Sequence, residues 1–199
     1  MIKTVPNEFV MDLEKSLAVS LDEKSSAILR GISKPKSIRK DDFFIHEGER
    51  STEVGLILKG AFRSFYIDQA GNDVTKYFYV QGEILFSYYA HLSQTKSKYS
   101  IQALDDSEIL VTNISEFEKV VEENYKLLLF YKKMVDVMLV KKEKHASSFT
   151  LLNSTQRYQQ FLADYPSLEK HIKQYQLSSY LGMTPVTLCR IRKKLNLIK

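Results

Sequence analysis

The chain has 199 residues, of which 44% are hydrophobic and 27% are charged. This ordinary globular composition excludes a wholly disordered or collagen-like chain, and a single cysteine, Cys189, excludes an internal disulfide framework. The formal net charge of +5 is unevenly placed. The last 30 residues hold seven Lys or Arg and no Asp or Glu, whereas the first 169 hold 22 basic and 24 acidic residues. A basic block at one end of a near-neutral body indicates a local polyanionic partner.

Two further features bear on where the protein works. Glu8, Asp12 and Glu14 interrupt the apolar residues near the N-terminus, so residues 1–17 are not expected to form a signal peptide. No stretch approaches 18 uncharged apolar residues, so neither a membrane span nor a membrane partner is expected. A single cysteine fits a reducing compartment, and we expect a cytoplasmic protein.

The chain begins with helical signals and then changes to strand signals. Residues 7–31 predict two short helices, the second opened by a capping box of Ser20 and Glu23. From residue 33 to residue 113, short apolar runs alternate with glycine-containing turns, a pattern typical of an antiparallel sandwich or barrel. The predicted strands cover residues 43–45, 54–58, 61–67, 74–80, 99–104 and 109–111.

Helical signals return after the strands. A second capping box, Ser115 with Glu118, opens one predicted helix, and a longer helix without Gly or Pro follows over residues 125–152. The longer helix carries a coiled-coil-like seam, which Lys142 and His145 weaken. One helix cannot bury such a seam alone, so it packs on the barrel, on a second copy of the chain, or on both. The seam consists of Leu128, Tyr131, Val135, Met138, Lys142, His145, Phe149 and Leu152.

The last zone carries the clearest local motif. Ser154 opens a helix that runs to about Asp164, and a second short helix follows. Gly182 can take the left-handed conformation that ends this short helix. Thr184 is a good N-cap for the next helix, and Pro185 suits its first position. The spacing predicts two helices joined by a tight turn.

The second of these two helices carries the cations of the basic block. Leu188 and Ile191 face inward, which exposes Val186, Arg190 and Lys193 on the opposite face. This is a helix-turn-helix pattern, whose second helix can enter a major groove, where Arg190 can read guanine or hold a phosphate. The alternative is a solvated basic helix pair packed on the body. The agreement of turn, caps, apolar positions and charge favours double-stranded DNA as the partner.

On these motifs the sequence resembles the Crp/Fnr family of bacterial transcription regulators, from about Leu21 to Leu195. The resemblance implies an α+β fold with an N-terminal antiparallel β-roll (a double-stranded β-helix) flanked by helices. It also implies a long dimerisation helix over about residues 125–152 and a C-terminal all-α helix-turn-helix domain. The expected division is a sensor over residues 1–152 and a DNA-binding domain over residues 153–199. The resemblance rests on residues 44–49 (Phe-Ile-His-Glu-Gly-Glu) with 58–60, on 82–83 with 100–104, and on 179–185 with 188–195.

Proteins of this family act as homodimers and respond to a small effector in the roll. The resemblance therefore implies a second copy of the chain and double-stranded DNA, at a palindromic promoter site, as partners, with RNA polymerase as a further candidate. The expected dimer interface comprises Leu128, Tyr131, Val135 and Met138. The residues expected to contact DNA are Lys173, Tyr175, Ser178, Thr184, Val186, Thr187, Arg190, Lys193 and Lys194.

The first departure from the family concerns the effector. In members that bind cyclic AMP, a Gly-Glu pair opens a short helix whose N–H groups hold the phosphate, and an arginine further along pairs with that phosphate. Gly82 and Glu83 match the pair, but the arginine position falls at Ser97. Lysine lacks the bidentate fork of arginine, so a cyclic nucleotide is disfavoured, and no cofactor is assigned. The expected effector pocket comprises Gly82, Glu83, Ile84, Lys96, Ser97 and Lys98.

Further departures concern the DNA-binding end. Val186 stands where family members often carry Glu, which predicts an altered target, since Val can meet a thymine methyl group but cannot accept from cytosine. The chain stops at Lys199, shortly after the recognition helix, so little or no wing is expected. Cys189 beside Arg190 can be a redox switch, but a small residue that fills a Ser or Gly position is the favoured interpretation.

Other chemistries have weaker support. Iron–sulfur sensing needs several N-terminal cysteines, which this sequence lacks, and His46 and His91 are available to haem, although a lone histidine is usually an ordinary structural residue. No clustered metal ligands and no catalytic constellation are found, so we expect no metal site, no catalytic residue and no enzyme activity. Two alternatives remain. One is an effector-binding or dimerisation module whose basic helices dock another protein, and the other is a β-roll enzyme.

Overall fold

The computed structural model describes residues 20–197, so the helix expected before residue 20 lies outside the described residues. These residues form eight strands, seven α-helices and one short 3-10 helix. The strands are β1 (Ser33–Ile38), β2 (Phe43–Ile45), β3 (Glu53–Lys59), β4 (Phe62–Ile67), β5 (Asp73–Tyr79), β6 (Ile84–Leu85), β7 (Ser100–Ala103) and β8 (Ser107–Asn113). The helices are α1 (Glu23–Ile32), α2 (Tyr88–Leu92), α3 (Ile114–Glu123), α4 (Tyr125–Leu151), α5 (Ser154–Asp164), α6 (Gln174–Tyr180) and α7 (Pro185–Lys194), with the 3-10 helix (Leu168–His171) between α5 and α6.

The strands form two four-stranded sheets that together make a β-roll. One sheet has the order β1-β8-β3-β6 and the other β2-β7-β4-β5, and all pairs are antiparallel. The expected α+β architecture of roll, long helix and C-terminal helices is confirmed. The core of the roll consists of Ile38, Ile45, Ile57, Phe62, Tyr77, Tyr79, Leu85, Tyr99, Ile101, Ala103, Ile109 and Val111.

Two strands were not expected from the sequence. Strand β1 contains Lys34, Pro35 and Lys36, which are exposed. A segment of this composition is typical of a loop, so the strand was not predicted. It lies at the edge of its sheet, where proline and lysine are tolerated because one side of the strand needs no hydrogen-bonding partner. Strand β6 has only two residues and is too short to show a periodic pattern.

Three of the predicted helix N-caps, those of α1, α3 and α5, are wrong by one or two residues. Helix α1 is capped by Asp22, whose carboxylate accepts from the backbone N–H of Ser25 at 2.8 Å, and Ser20 lies outside the helix. Asn113 in the same way replaces Ser115 as the cap of α3, and Asn153 replaces Ser154 as the cap of α5. Asx side chains accept backbone N–H groups at least as well as serine, so in each case the neighbouring Asx residue caps the helix in place of the serine.

The N-terminal half of α4 is held against the roll. Leu127, Phe130 and Met134 are buried on one face of the helix and pack in a cluster with Leu58 and Leu110. The long helix expected over residues 125–152 is therefore confirmed, and its first four turns are anchored on the body of the same chain.

Strand β5 carries side chains that belong to two different cores. Tyr77 and Tyr79 lie in the roll core, whereas Phe78 points away from the roll and packs 4.9 Å from the ring centroid of Tyr180. The roll and the C-terminal helices thus share a continuous apolar contact. This second core consists of Ala61, Phe78, Leu104, Tyr158, Phe161, Tyr165, Leu168, Leu177, Tyr180, Leu181, Leu188 and Ile191.

Polar and ring contacts add to this junction. Strand β5 is the last strand of its sheet, and the backbone N–H of Thr75 donates to the Ser179 hydroxyl on α6 at 3.1 Å. Ser179 of α6 thereby accepts a hydrogen bond from a backbone N–H group that would otherwise be unpaired at the sheet edge. The His145 ring on α4 stacks on Tyr180 with 4.1 Å between ring centroids. The first helix of the helix-turn-helix is consequently fixed by both the roll and α4.

Phe78→Ala is expected to lower the free energy of unfolding by about 3–5 kcal/mol, because it removes a fully buried ring from the contact between the two cores. Urea denaturation followed by circular dichroism measures the effect. Tyr125→Ala is the control, since this exposed ring at the start of α4 is expected to contribute less than about 0.5 kcal/mol. A loss below about 1 kcal/mol for Phe78→Ala would contradict the described packing.

Candidate nucleic-acid interface and effector cavity

Helices α6 and α7 form a helix-turn-helix with the predicted caps. Gly182 has a φ of +62°, and the hydroxyl of Thr184 accepts from the backbone N–H of Thr187 at 3.1 Å. Pro185 is the first residue of α7. The Nε2 of Gln174 donates to the backbone carbonyl of Pro185 at 2.8 Å and ties the start of α6 to the start of α7. The turn between α6 and α7 is therefore determined by residues within the motif itself.

The face of α7 opposite the core is exposed and basic. Leu188 and Ile191 are buried, whereas Arg190, Lys193 and Lys194 are exposed. Val186 lies on the exposed side of α7 with 61% of its surface accessible.

Other residues expected at the DNA lie in different environments. Lys173 and Tyr175 are exposed at the start of α6. Ser178 is buried, and its hydroxyl donates to the backbone carbonyl of Tyr175 at 3.0 Å. Thr184 and Thr187 hydrogen-bond to each other through their hydroxyls at 2.9 Å. The Ser178 hydroxyl therefore faces the protein in this conformation, while the two threonines support the turn.

Two features of this region were missed by sequence reasoning. Arg192 was counted with the basic block, but its Nη2 lies 2.8 Å from Glu169, which also accepts from the Tyr158 hydroxyl at 2.5 Å. This arginine holds α7 on the 3-10 helix instead of facing a partner. Gln174 is exposed beside Lys173, and no pattern marked it because glutamine carries no charge and fits many positions.

The segment at Gly82 and Glu83 does not have the geometry that the resemblance implies for an effector site. Gly82 and Glu83 form the turn between β5 and β6, where Gly82 has a φ of +84° and donates its backbone N–H to Ile57 at 2.9 Å. They do not open a helix, because the short helix α2 begins at Tyr88, after Ser87. Backbone N–H groups at a helix start are therefore not available at Gly82 and Glu83.

The two halves of the expected pocket also lie in different environments. Ser97 is 2% exposed, and its hydroxyl lies 2.9 Å from that of Ser87 and donates to the Tyr99 carbonyl at 2.7 Å. Lys96 and Lys98 are exposed at the surface. By contrast, residues 82–84 line a cavity in the structure. Lysines 96 and 98 are not among the residues that line it.

Aromatic side chains and a lysine fill the interior of the roll. Tyr77, Tyr79 and Tyr99 are buried there, and the Lys76 ammonium lies 3.7 Å from the centroid of the Tyr99 ring. Lys76 points inward because β5 has one extra residue at this point: Ser64 pairs with Tyr77 and the next residue of β4 pairs with Thr75. The sequence pattern assumes strict alternation, so it did not reveal this bulge.

The environment of Lys76 opposes its charge. Burial, together with the positive charge of Lys142 on α4, lowers the pKa of Lys76 to about 8. Burial likewise lowers the pKa of Lys142. Neither lysine forms an ion pair within the described residues. The contacts of the Lys76 ammonium with the faces of Tyr99 and Tyr66 offset part of the desolvation.

Lys76→Met is expected to raise the free energy of unfolding at pH 7 by about 1–3 kcal/mol, because the charged form is disfavoured in the folded chain. The pKa of Lys76 is lower in the folded than in the unfolded chain, so the native protein gains stability as the pH rises from about 8 toward 10.5. The advantage of the variant should shrink over that range. Urea denaturation at pH 7, 8 and 9 measures the difference in free energy of unfolding between the variant and the wild type. The control is Lys59→Met, which replaces an exposed lysine. A difference that does not change with pH would contradict the lowered pKa of Lys76.

A cavity of about 300 Å³ lies between the turn at Glu83, β6 and helices α2, α3 and α4. Glu83 is mostly buried, and burial raises the pKa of its carboxyl while an ion pair with Lys141 of α4 opposes that rise. The four residues expected at a dimer interface also border this cavity. Leu128 is exposed, and the other three are half-buried: Tyr131, Val135 and Met138.

The histidines considered for haem have ordinary surroundings. His46 stacks on Phe43 with 4.1 Å between ring centroids, and the His91 Nε2 lies 2.6 Å from Glu118. Within residues 20–197, no three His, Cys, Asp or Glu side chains form a group suited to a metal ion. None of the described helices is both long and apolar enough to cross a bilayer.

Comparison with known proteins places this geometry in a class. Residues 35–124, which run from β1 to the end of α3, match the family described as the cyclic nucleotide-binding domain. No curated protein matches the sequence. The roll is therefore similar to cyclic nucleotide-binding domains, and most of the chain has the fold of the Crp/Fnr-type regulators.

Solved structures support the assignment of the fold. FixK2 from Bradyrhizobium japonicum is 20% identical, with a TM-score of 0.70 over 83% of this chain and 85% of that chain. The global regulator CLP of Xanthomonas campestris, described as c-di-GMP responsive, is 12% identical, with a TM-score of 0.71 over 88% and 92% of the two chains. A protein from Eubacterium rectale described as a Crp/Fnr-family transcriptional regulator is 13% identical, with a TM-score of 0.66 over 89% and 84%. At these identities the likeness concerns the fold.

Proposed function

We propose that the protein is a DNA-binding transcription regulator of the Crp/Fnr type. The observation that carries this proposal is helix α7, which presents Arg190, Lys193 and Lys194 on one exposed face behind a capped turn. A helix held in this way can enter a major groove. In the proposal, residues 1–152 are the sensor and residues 153–199 the DNA-binding domain.

The exposed residues suggest separate roles at the DNA. Arg190 is the candidate for reading guanine, because it projects from the middle of the exposed face. Val186 offers an apolar side chain that suits a thymine methyl group. Lys173 at the start of α6 and Lys193 and Lys194 at the end of α7 are placed to neutralise phosphates.

The proposal includes a homodimer on a palindromic promoter site. Its support is the outer surface of α4, where Leu128 and Leu139 are exposed on one side of the helix, Leu139 to 60%. A long helix with exposed apolar residues gains stability from a partner helix. RNA polymerase is a further partner in this proposal, and chromosomal DNA as the target implies the bacterial cytoplasm.

The effector in this proposal is a small molecule other than cyclic AMP. Tyrosines occupy the interior of the roll, and the hydroxyls of Ser87 and Ser97 hydrogen-bond to each other within it. No arginine stands near these residues in the sequence to pair with a phosphate.

Arg190→Ala is expected to weaken binding to a specific promoter fragment by roughly 1–3 kcal/mol per site while leaving binding to random DNA almost unchanged. Lys59→Ala is the matched control, because it removes an exposed cation from the end of β3 on the roll. Gel-shift titration measures both. An equal loss on specific and random DNA would assign Arg190 to a phosphate.

The salt dependence of the same titration tests DNA binding itself. The logarithm of affinity should fall with the logarithm of salt concentration, with a slope of about −0.9 per phosphate contacted. If the affinity is flat in salt, the proposal fails, and docking of another protein on the basic helices becomes the better interpretation.

Leu128→Glu is expected to convert the dimer into a folded monomer, because it places a charge in the apolar interface without disturbing a buried residue. Val140→Glu is the control: Val140 is exposed on the same helix but lies about 120° away around it. Analytical ultracentrifugation gives the mass of each variant. A wild-type monomer, or a Leu128→Glu dimer as tight as wild type, would overturn the interface.

A further inference from the structure

We propose that the cavity beside Glu83 binds a neutral, mostly apolar small molecule. This proposal deepens the proposed function, since it assigns a chemical class to the effector. It moves the site out of the tyrosine-filled roll interior and into the space between β6, α2, α3 and α4.

The walls of the cavity determine the apolar part of the ligand. With a volume of about 300 Å³, the cavity is at the small end of the range for ligand pockets. Two methionines give part of this wall an adaptable shape. The residues that form most of the apolar wall are Phe86, Tyr88, Phe117, Tyr131, Met134 and Met138.

The charges around the cavity exclude an anionic ligand. The Lys141 ammonium is already paired with Glu83, and His91 is hydrogen-bonded to Glu118. Glu122 also borders the cavity, so carboxylates outnumber the cations there. A phosphate or carboxylate would lose its hydration without gaining an unpaired cation, whereas a neutral molecule meets no such cost.

Ligand and long helix are in direct contact at this site. Leu128, Tyr131, Val135 and Met138 border the cavity and are also the residues proposed to meet the partner copy. A molecule in the cavity therefore contacts the element that the proposed dimer depends on. The competing occupant is a side chain of the partner copy, which would leave no room for a ligand.

A pair of dyes that differ by one charged group tests the ligand class on the full-length chain. N-phenyl-1-naphthylamine is neutral, and 1-anilinonaphthalene-8-sulfonate has the same aromatic frame with an added sulfonate. We expect saturable fluorescence enhancement at one site per chain with the neutral dye, and affinity at least about tenfold weaker for the sulfonate. Equal affinities, or no saturable binding of the neutral dye, would overturn the proposal.

Variants locate the dye. Met138→Trp fills the cavity from α4, and Ile84→Phe fills it from β6, away from the proposed dimer face, so at least one should fold with its oligomeric state unchanged. Each folded variant should bind the neutral dye about tenfold more weakly. Val140→Trp is the control on the exposed side of α4 and should not change the affinity. Unchanged affinity in the filled variants would place the dye elsewhere and refute the site.

Gel-shift binding on the same preparations keeps the two proposals distinguishable. Dye binding without DNA binding would refute the proposed function and leave the cavity assignment standing. Salt-dependent DNA binding without neutral-dye binding would refute the cavity assignment alone. A crystal structure of the dimer with a partner side chain inside the cavity would also refute it.

Discussion

The structure depends on strand β5 being apolar on both faces. Tyr77 and Tyr79 fill the roll, and Phe78 between them packs on Tyr180 and the other C-terminal helices. A one-residue slip would move Phe78 into the roll and the two tyrosines out of it, which would disrupt the packing of both cores, so the register of β5 is strongly specified. The same constraint fixes α6 against the roll, since the Thr75 N–H that meets Ser179 lies on this strand.

The parts of the molecule that the sequence predicted well are those set by neighbouring residues. Thr184, Pro185 and Gly182 have the cap, first-turn and left-handed roles expected of them, because each role depends on one backbone conformation. The absence of Gly and Pro in residues 125–151 similarly sufficed to predict α4. Caps were predicted less well, because Asn113 and the following Ser115 compete for the same N–H groups and only the local backbone decides between them.

The parts that could not be predicted depend on contacts between distant segments. The bulge that turns Lys76 inward arises from pairing with β4, and nothing in the β5 sequence marks it. Ser97 meets Ser87 only because the chain between them folds into α2. The resemblance placed the effector at residues 82–84 and 96–98, but only the first group borders the cavity, whose other walls include residues of α2, α3 and α4.

The ion pair of Glu83 and Lys141 limits what the cavity can accept. Glu83 is mostly buried, so a ligand that drew Lys141 away would leave a carboxylate without its cation in a region of low dielectric constant. Lys141 lies one helical turn before His145, whose ring stacks on Tyr180 of α6. Breaking the pair would therefore disturb the segment of α4 that holds the helix-turn-helix. A neutral ligand leaves the pair intact, and for this reason it can occupy the cavity without the cost that an anion competing for Lys141 would incur.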